Sequence, residues 1–345
     1  MGRVTLAQVA ARAGVSQPTA SRVLNGSGRR TSPEIVTAVR EAAAELGYIP
    51  NAMAQALVRS STGLMGLVVQ DIADPYFSEI AAGVQKVARA KSRRVMLGVA
   101  SRDPHYQLEL VEGLISHGAD AIVLAPHHIR GKEAGAADEQ LDALLQRYRD
   151  FGTRVAVVGE PRPQAHAVVP SNREGSRQLA DALVGQGHHR FLLLAGPQDQ
   201  WGGSERRAGF QEGLARHGIE PLGVVHSPLN RDGGHRAMHE GFGLMPRDGA
   251  GPVCVFAVAD VMALGAFAAL REHGMRAPEE VCVAGFGDIP TLRDHHPGLT
   301  TVRLPLQHIG RRAAELALGG EEPAEDPVLE ESGSQVLLRD STALP

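Results

Sequence analysis

The chain has 345 residues, 43% hydrophobic and 21% charged, which suits two or three globular domains. No apolar run reaches bilayer length, Met1 to Ala13 lacks the apolar segment of a secretion signal, and two cysteines cannot build a disulfide framework. These features exclude membrane and disulfide-scaffold classes and lead us to expect a cytoplasmic protein. The net charge of −4 is unevenly spread: residues 1–60 carry seven arginines against three glutamates, so a head of +4 precedes a remainder of −8. A basic head on an acidic body points to a polyanion as partner of the head alone.

In chain order, Thr5 caps a short helix over Leu6–Ala13, with Leu6, Val9 and Ala10 on one face. Gly14 ends it, since glycine accepts the left-handed backbone of a sharp turn. Val15 packs inward and Ser16 caps a second helix, Gln17–Leu24, with Ala20, Val23 and Leu24 inward and Gln17, Pro18, Ser21 and Arg22 outward. Pro18 falls in the first turn, where it is tolerated. Asn25 to Gly28 is a flexible link beside Arg29 and Arg30. Thr31-x-x-Glu34 fits a capping box opening a third helix to about Leu46. Two short helices on a tight turn, buttressed by a third, make a helix-turn-helix.

The run TLAQVAARAGVSQPTASRVLN over residues 5–25, followed by Gly47-Tyr-Ile-Pro-Asn51 and then Ala54 and Leu57, resembles the head and hinge of the LacI/GalR family of transcriptional regulators. Gln8 and Gln55 depart from the family pattern, which usually has Asp and Arg there. The resemblance implies that Gln17, Pro18 and Arg22 face base edges in the major groove. Arg22 suits guanine O6/N7 and Gln17 suits adenine, while Pro18 reads only shape or a thymine methyl. Thr5, Ser16, Thr19, Ser21 and Asn25 are then placed for phosphate contacts, although helix capping alone also accounts for Ser16 and Thr19. Asn51 to Arg59 is too short to be a stable isolated helix. The resemblance makes it a hinge helix that folds on DNA and drives Leu57 into the minor groove, where a plain reading is a linker-helix core leucine. It also implies a homodimer on a palindromic operator, with further pairing of dimers left open. No dimer face is visible in the sequence.

From Leu64 onward, apolar runs alternate with helical stretches. Leu64–Val69, Val95–Ala100, Ala121–Leu124, Val155–Val158, Phe191–Ala195, Val253–Val258 and Val281–Phe286 read as buried parallel strands of an α/β fold. The body resembles type I periplasmic sugar-binding proteins and the LacI/GalR core. That implies two lobes with parallel sheets and a small-molecule effector, a sugar or sugar acid, in the cleft between them. The expected boundaries are a head at 1–48, a hinge helix and linker at 49–62, and a core at 63–345. Within the core, the first lobe takes about 63–160 and 291–320, the second about 161–290 and 321–345. Gln335–Arg339 reads as a final strand of the second lobe.

Ligands of such sheets bind beyond the C-terminal strand ends. The effector candidates there are Asp71, Phe77, Ser101, Glu160, Trp201, Arg206, Asp260 and Asp288. Phe77, Arg206 and Asp260 match family positions that pack on the ligand, grip it and form the effector loop. Gly287 replaces the first acid of the family turn before Asp288, removing a usual sugar-hydroxyl acceptor. Plain alternatives are a solvated loop or helix cap for each acid, a surface ion pair for Arg206, and loop packing for Trp201 in its Gly-rich surroundings. The pairs His127-His128, His188-His189 and His295-His296 do not suggest a metal, because adjacent residues seldom present both rings to one ion. No set of cysteines or His-x-x-x-His is taken to support them. Neither a cofactor nor an enzyme is expected, since no phosphate-binding loop or nucleophile–base pair is found. A periplasmic-type binding protein, the main rival reading, leaves the helix-turn-helix unexplained. Repression is the outcome the family resemblance implies.

Overall fold

Capping residues set the limits of the first three helices, α1 (Leu6–Arg12), α2 (Gln17–Leu24) and α3 (Pro33–Glu45). The computed structural model describes residues 4–25, 31–49, 61–125, 132–150, 153–246, 251–319 and 327–344. The chain divides at Gly63 into two units. In the first, the Thr5 backbone N–H donates to Gln8 Oε1 (2.8 Å) and the Gln8 N–H donates to Thr5 Oγ1 (3.4 Å), a reciprocal capping box. Gly14 takes φ +66° between α1 and α2. Val9, Ala10, Ala20, Val23, Val39, Ala42 and Ala43 form a shared buried core. Arg12 on α1 pairs with Glu45 on α3 at 2.7 Å, both about half exposed, so the pair adds little stability.

The capping box expected at Thr31 does not form. Ser32 is the N-cap of α3 and Pro33 its first residue. A residue preceding proline is driven into the extended region, and Ser32 (φ −62°, ψ 148°) occupies it.

The second unit holds two parallel sheets. The first contains β1 (Leu64–Val69), β2 (Arg94–Val99), β3 (Ala121–Ala125), β4 (Arg154–Val158), β5 (His166–Val169) and β11 (Leu329–Glu331), in the order β11-β5-β4-β3-β1-β2. The second contains β6 (Phe191–Ala195), β7 (Gly223–His226), β8 (Val253–Ala257) and β9 (Val281–Ala284), in the order β7-β6-β8-β9. β10 (Thr301–Arg303) pairs antiparallel with β12 (Gln335–Leu337) and touches the end of β9 through bridges Ala284–Thr300 and Gly287–Arg303. β1, β3, β4, β6, β8 and β9 are almost wholly buried, as strands covered on both faces must be.

Helices α4 (Pro75–Ala90), α5 (Pro104–Ser116), α6 (Lys132–Asp150) and α11 (Leu306–Leu318) accompany the first sheet; α7 (Asn172–Gly185), α8 (Trp201–Arg216), α9 (Arg231–Gly241) and α10 (Asp260–Glu272) accompany the second. Three helix pairs meet backbone to backbone. A Cβ at Gly83 or Gly310 would collide across the α4–α11 contact, one at Gly209 across α7–α8, and one at Gly234 or Gly265 across α9–α10.

The lobes divide differently from the expected boundaries. β5 lies beyond the anticipated break at residue 160 yet pairs with β4 in the first sheet, and β11, from the tail assigned to the second lobe, pairs with β5 at the edge of the same sheet. β10, expected in the first lobe, joins β12 beside the second sheet. The link from β4 to β5 is short and contains no helix, so the usual signal of a parallel crossover is missing from the sequence. The chain therefore crosses between sheets after β5, after β10 and after β11. The tail is tied down, with Ser341 Oγ donating to the Val283 carbonyl (2.6 Å) and His188 Nε2 to that of Thr342 (2.9 Å). His188 is thus a core histidine, its basicity lowered by burial.

Candidate functional site

On α2, burial of Ala20 and Val23 leaves Gln17, Pro18 and Arg22 exposed along one edge. The Arg22 side chain lies back along its own helix, donating from Nη2 to Thr19 Oγ1 (3.2 Å) and from Nε to the Pro18 carbonyl (3.4 Å). Ser16 Oγ accepts the Thr19 N–H (3.4 Å) and shares a hydrogen bond with Thr19 Oγ1 (2.9 Å), so Ser16 caps α2 and the Thr19 side chain braces that cap. Asn25 Nδ2 donates to Ser21 Oγ (3.1 Å) at the other end of the helix. Thr5 is exposed and serves the α1 capping box, in which Gln8 is the reciprocal acceptor. Leu57 and Gln55 lie outside the described residues.

In the second unit, the loops after β1 and β2 and the N-termini of α4, α9 and α10 enclose a cavity of about 510 Å³. Asp71, Phe77 and Ser101 line it, joined by Arg102, Asn230 and Arg231. Asp71 Oδ1 accepts the Ala73 N–H (2.8 Å), and Asp74 caps α4 through the Tyr76 N–H (2.9 Å). Burial holds the Asp74 carboxyl above the usual carboxylate range. Ser101 (φ +53°) and Arg102 (φ +124°) take left-handed backbone at the cavity wall, strain of the kind that gathers at binding sites.

Phe77 also borders a narrower crevice of about 20 Å³, whose walls include Glu160, Trp201, Arg206 and Asn172. Trp201 is the first residue of α8, not a loop residue, and stands five positions before Arg206 on that helix. Arg206 is 3% exposed; its Nε donates to Asn172 Oδ1 (2.8 Å) and its Nη1 to the Val258 carbonyl (2.9 Å). Its guanidinium lies 4.4 Å from the Phe286 ring centroid and 5.5 Å from that of Tyr76. Burial lowers its basicity, opposed by Tyr76, Asp260 and Asp74. A surface ion pair is therefore excluded for Arg206.

Asp260 and Asp288 are not brought to either hollow. Asp260 is buried, accepting from Thr301 Oγ1 (2.6 Å) and from the Ile289 N–H (3.0 Å). Burial pushes its carboxyl up to about 6. Asp288 accepts from Arg303 Nε (2.6 Å) and Arg339 Nη2 (2.7 Å), beside a different cavity. Both acids fix the turn at residues 285–289. Gly287 has φ +135°, and a Cβ there would stand 3.1 Å from Asp260 Oδ2, so the turn leaves little room for an acidic side chain.

A profile of bacterial regulatory proteins of the lacI family matches residues 5–51, and one of the periplasmic binding protein-like domain matches residues 180–342. The chain is 35% identical over 327 residues to the HTH-type transcriptional regulator CelR of Thermobifida fusca, covering 91% of each. The chain belongs to the LacI/GalR family. It is 33% identical to the HTH-type transcriptional regulator GalS of Salmonella typhimurium, covering 92% of this chain and 90% of that one. Among solved structures, the lac repressor dimer bound to operator and the anti-inducer ONPF superposes with a TM-score of 0.81 at 25% identity, covering 100% of each chain. A CelR–cellobiose complex does so with a TM-score of 0.68 at 30% identity, covering 98% of this chain and 100% of that one. This LacI-family protein is thus a DNA-binding transcriptional regulator, and its relatives are regulators rather than enzymes. No helix among its described residues is long and apolar enough to cross a membrane.

Several residues of the cavity and the crevice are absent from the candidates the sequence offers. Asn172 was hidden because its role is to orient Arg206 from the start of α7. Asn230, Arg231 and Asp232 were missed together with β7 and α9, because Arg231–Gly241 is polar and rich in glycine, a poor helix former on composition. The usable signal was Asn230 three residues before Gly233, whose N–H its side chain caps at 2.8 Å. Contrary to expectation, the chain does hold a His-x-x-x-His pair: His235 and His239 stand at that spacing on α9.

Proposed function

We propose that this regulator represses transcription from the cytoplasm, binding a palindromic operator as a homodimer under control of a sugar or sugar acid in the inter-lobe cavity. One observation carries the reading: an exposed Gln17–Pro18–Arg22 edge shares a chain with a cavity built from strand ends of both sheets. Gln17, Pro18 and Arg22 meet bases, while Thr5, Ser16, Thr19, Ser21 and Asn25 meet phosphates and fix the register. Arg22 must leave its contacts with Thr19 and the Pro18 carbonyl to reach a guanine. Leu57 acts as the minor-groove wedge of a hinge at 49–62, between a head at 1–48 and the core.

Two heads are needed because one presents few base contacts. The edge strand β2 supports pairing of two chains: Met96 and Leu97 are 38% and 40% exposed on it, and Tyr106 on α5 is 44% exposed. The lac repressor relative is a dimer on its operator, which favours the same assembly here. Across the cavity and the crevice that Phe77 also borders, Phe77 and Trp201 offer apolar faces to a sugar ring, while Asp71, Ser101, Glu160 and Arg206 bind its hydroxyls or carboxylate. Asp260 and Asp288 act on the effector through the turn they hold. The CelR relative binds cellobiose, which favours a carbohydrate. An effector that prefers one arrangement of the lobes shifts DNA affinity by its differential affinity, and by no more.

The test is footprinting of the purified protein on DNA upstream of its own gene at fixed salt, beside Arg22→Ala. A two-fold symmetric footprint with steep salt dependence, its specific component lost in the variant, is expected. Sugars and sugar acids are then screened for release of the complex. Failure to select any DNA sequence, with or without ligands, overturns the reading.

A further inference from the structure

Away from both hollows, α9 carries His235 and His239 four residues apart, which puts both imidazoles on one helix face. Opposite them, at the end of α10, stands Glu272. His235 Nε2 and His239 Nε2 lie 2.9 Å and 3.1 Å from the same oxygen, Glu272 Oε2. One ligand atom from each of the three residues falls within 4.8 Å of the others. A tetrahedral ion with bonds of ~2.0–2.1 Å sets its ligand atoms ~3.3 Å apart, so small side-chain rotations fit this trio to one ion.

Two further features preorganise the group. The α9–α10 spacing is fixed where Gly234 and Gly265 bring the helix backbones together, so the two ligand-bearing elements cannot drift apart. The His239 ring is held between neighbours, 4.6 Å from the His235 ring and 4.7 Å from that of His273, with Phe242 edge-on at 6.0 Å. The histidine side chains are 32% and 39% exposed, which leaves room for water in a remaining coordination position. Two imidazoles with one carboxylate form a donor set for a borderline transition ion, since calcium and magnesium take oxygen ligands.

We propose that His235, His239 and Glu272 bind one zinc ion per chain, clamping α9 to α10 on the surface of the second lobe. This site needs no effector, and it stiffens the helix whose first turn, Asn230 to Asp232, borders the effector cavity.

The test is zinc titration of the untagged, full-length protein by calorimetry, beside His239→Asn and Glu272→Gln. A cobalt(II) absorption spectrum on the same samples reports coordination by nitrogen and oxygen. The wild type is expected to bind one zinc, and each variant to bind at least about tenfold more weakly. Zinc is expected to raise the thermal midpoint of the wild type but not of the variants, because an ion that binds only the folded state stabilises it by mass action. Both variants alter partly exposed side chains, and their metal-free melting curves establish that they fold. Absence of saturable binding to the wild type, or undiminished binding to both folded variants, overturns the proposal.

Discussion

In the head, every described side chain proposed to face DNA comes from the single stretch Thr5–Asn25, on two helices and the turn between them. In the core, the side chains around Phe77 come from the ends of β1, β2 and β4 and the starts of α7, α8 and α9. The head works through local capping and a small apolar core, so its reading surface is a property of one short segment. The core works through parallel pairing and close helix contacts, so its cavity exists only when distant segments have found their register. The difference predicts that the two regions respond to separate classes of substitution.

The largest effect is expected from Gly209→Ala. The added methyl would collide with the Arg173 backbone across the α7–α8 contact, and overpacking against backbone costs about 3 kcal/mol. Calorimetry should show the core transition lowered and the head transition unmoved; a single joint transition that moves as one would break the comparison.

Next comes the pH response of the core, read as the difference between wild type and Asp260→Asn. The Asp260 carboxyl sits at about 6 in the folded protein, against 3.8 for an ordinary aspartate. The folded state therefore holds its proton where the unfolded chain has released it. Its contribution to stability is fully present below pH 3.8 and is lost as pH rises towards 6, by on the order of 3 kcal/mol. Urea unfolding across that range should show the wild type losing stability relative to the variant as pH rises. Parallel profiles would remove Asp260 as the cause.

Arg22→Ala acts on the other side of the comparison. Loss of one bidentate base contact costs about 1–3 kcal/mol of discrimination, roughly five- to 150-fold in specific affinity. Core melting and its response to ligand should be unchanged. Ser16→Ala is the smallest, lowering head stability by about 1 kcal/mol through loss of a cap, with a matching fall in the head midpoint alone.

How much was legible in the sequence follows the same division. The helix-turn-helix was readable because each cap, turn glycine and buried position lies within a few residues of its partner; only the start of α3 was misread, where Pro33 governs Ser32. In the core, the long apolar strands β1, β3, β6 and β8 were readable from composition. β5 and β7 were not, being four residues long without the flanking pattern that marks a crossover. Arg206 and Phe77 became candidates through the family resemblance, and Trp201 as a tryptophan among glycines near Arg206. Asp260 and Asp288 were assigned to the effector, yet their carboxylates are taken by Thr301, Ile289, Arg303 and Arg339, partners from distant stretches that no local pattern reveals. Asn172 and Asn230 work through a buried arginine and a helix cap, and such roles leave no local signature.

The glycine contacts between helices bear on how such a protein can diversify. Phe77 stands on α4, Trp201 and Arg206 on α8, and Arg231 on α9, each a helix held against its neighbour at glycines where a single methyl would clash. Spacing between helices is thus settled by positions with no side chain, and the proposed ligand contacts by positions with one. Descendants of this sequence can exchange the second set to suit a new ligand while the first stays invariant. A lineage can then change what it senses without rebuilding the frame that does the sensing.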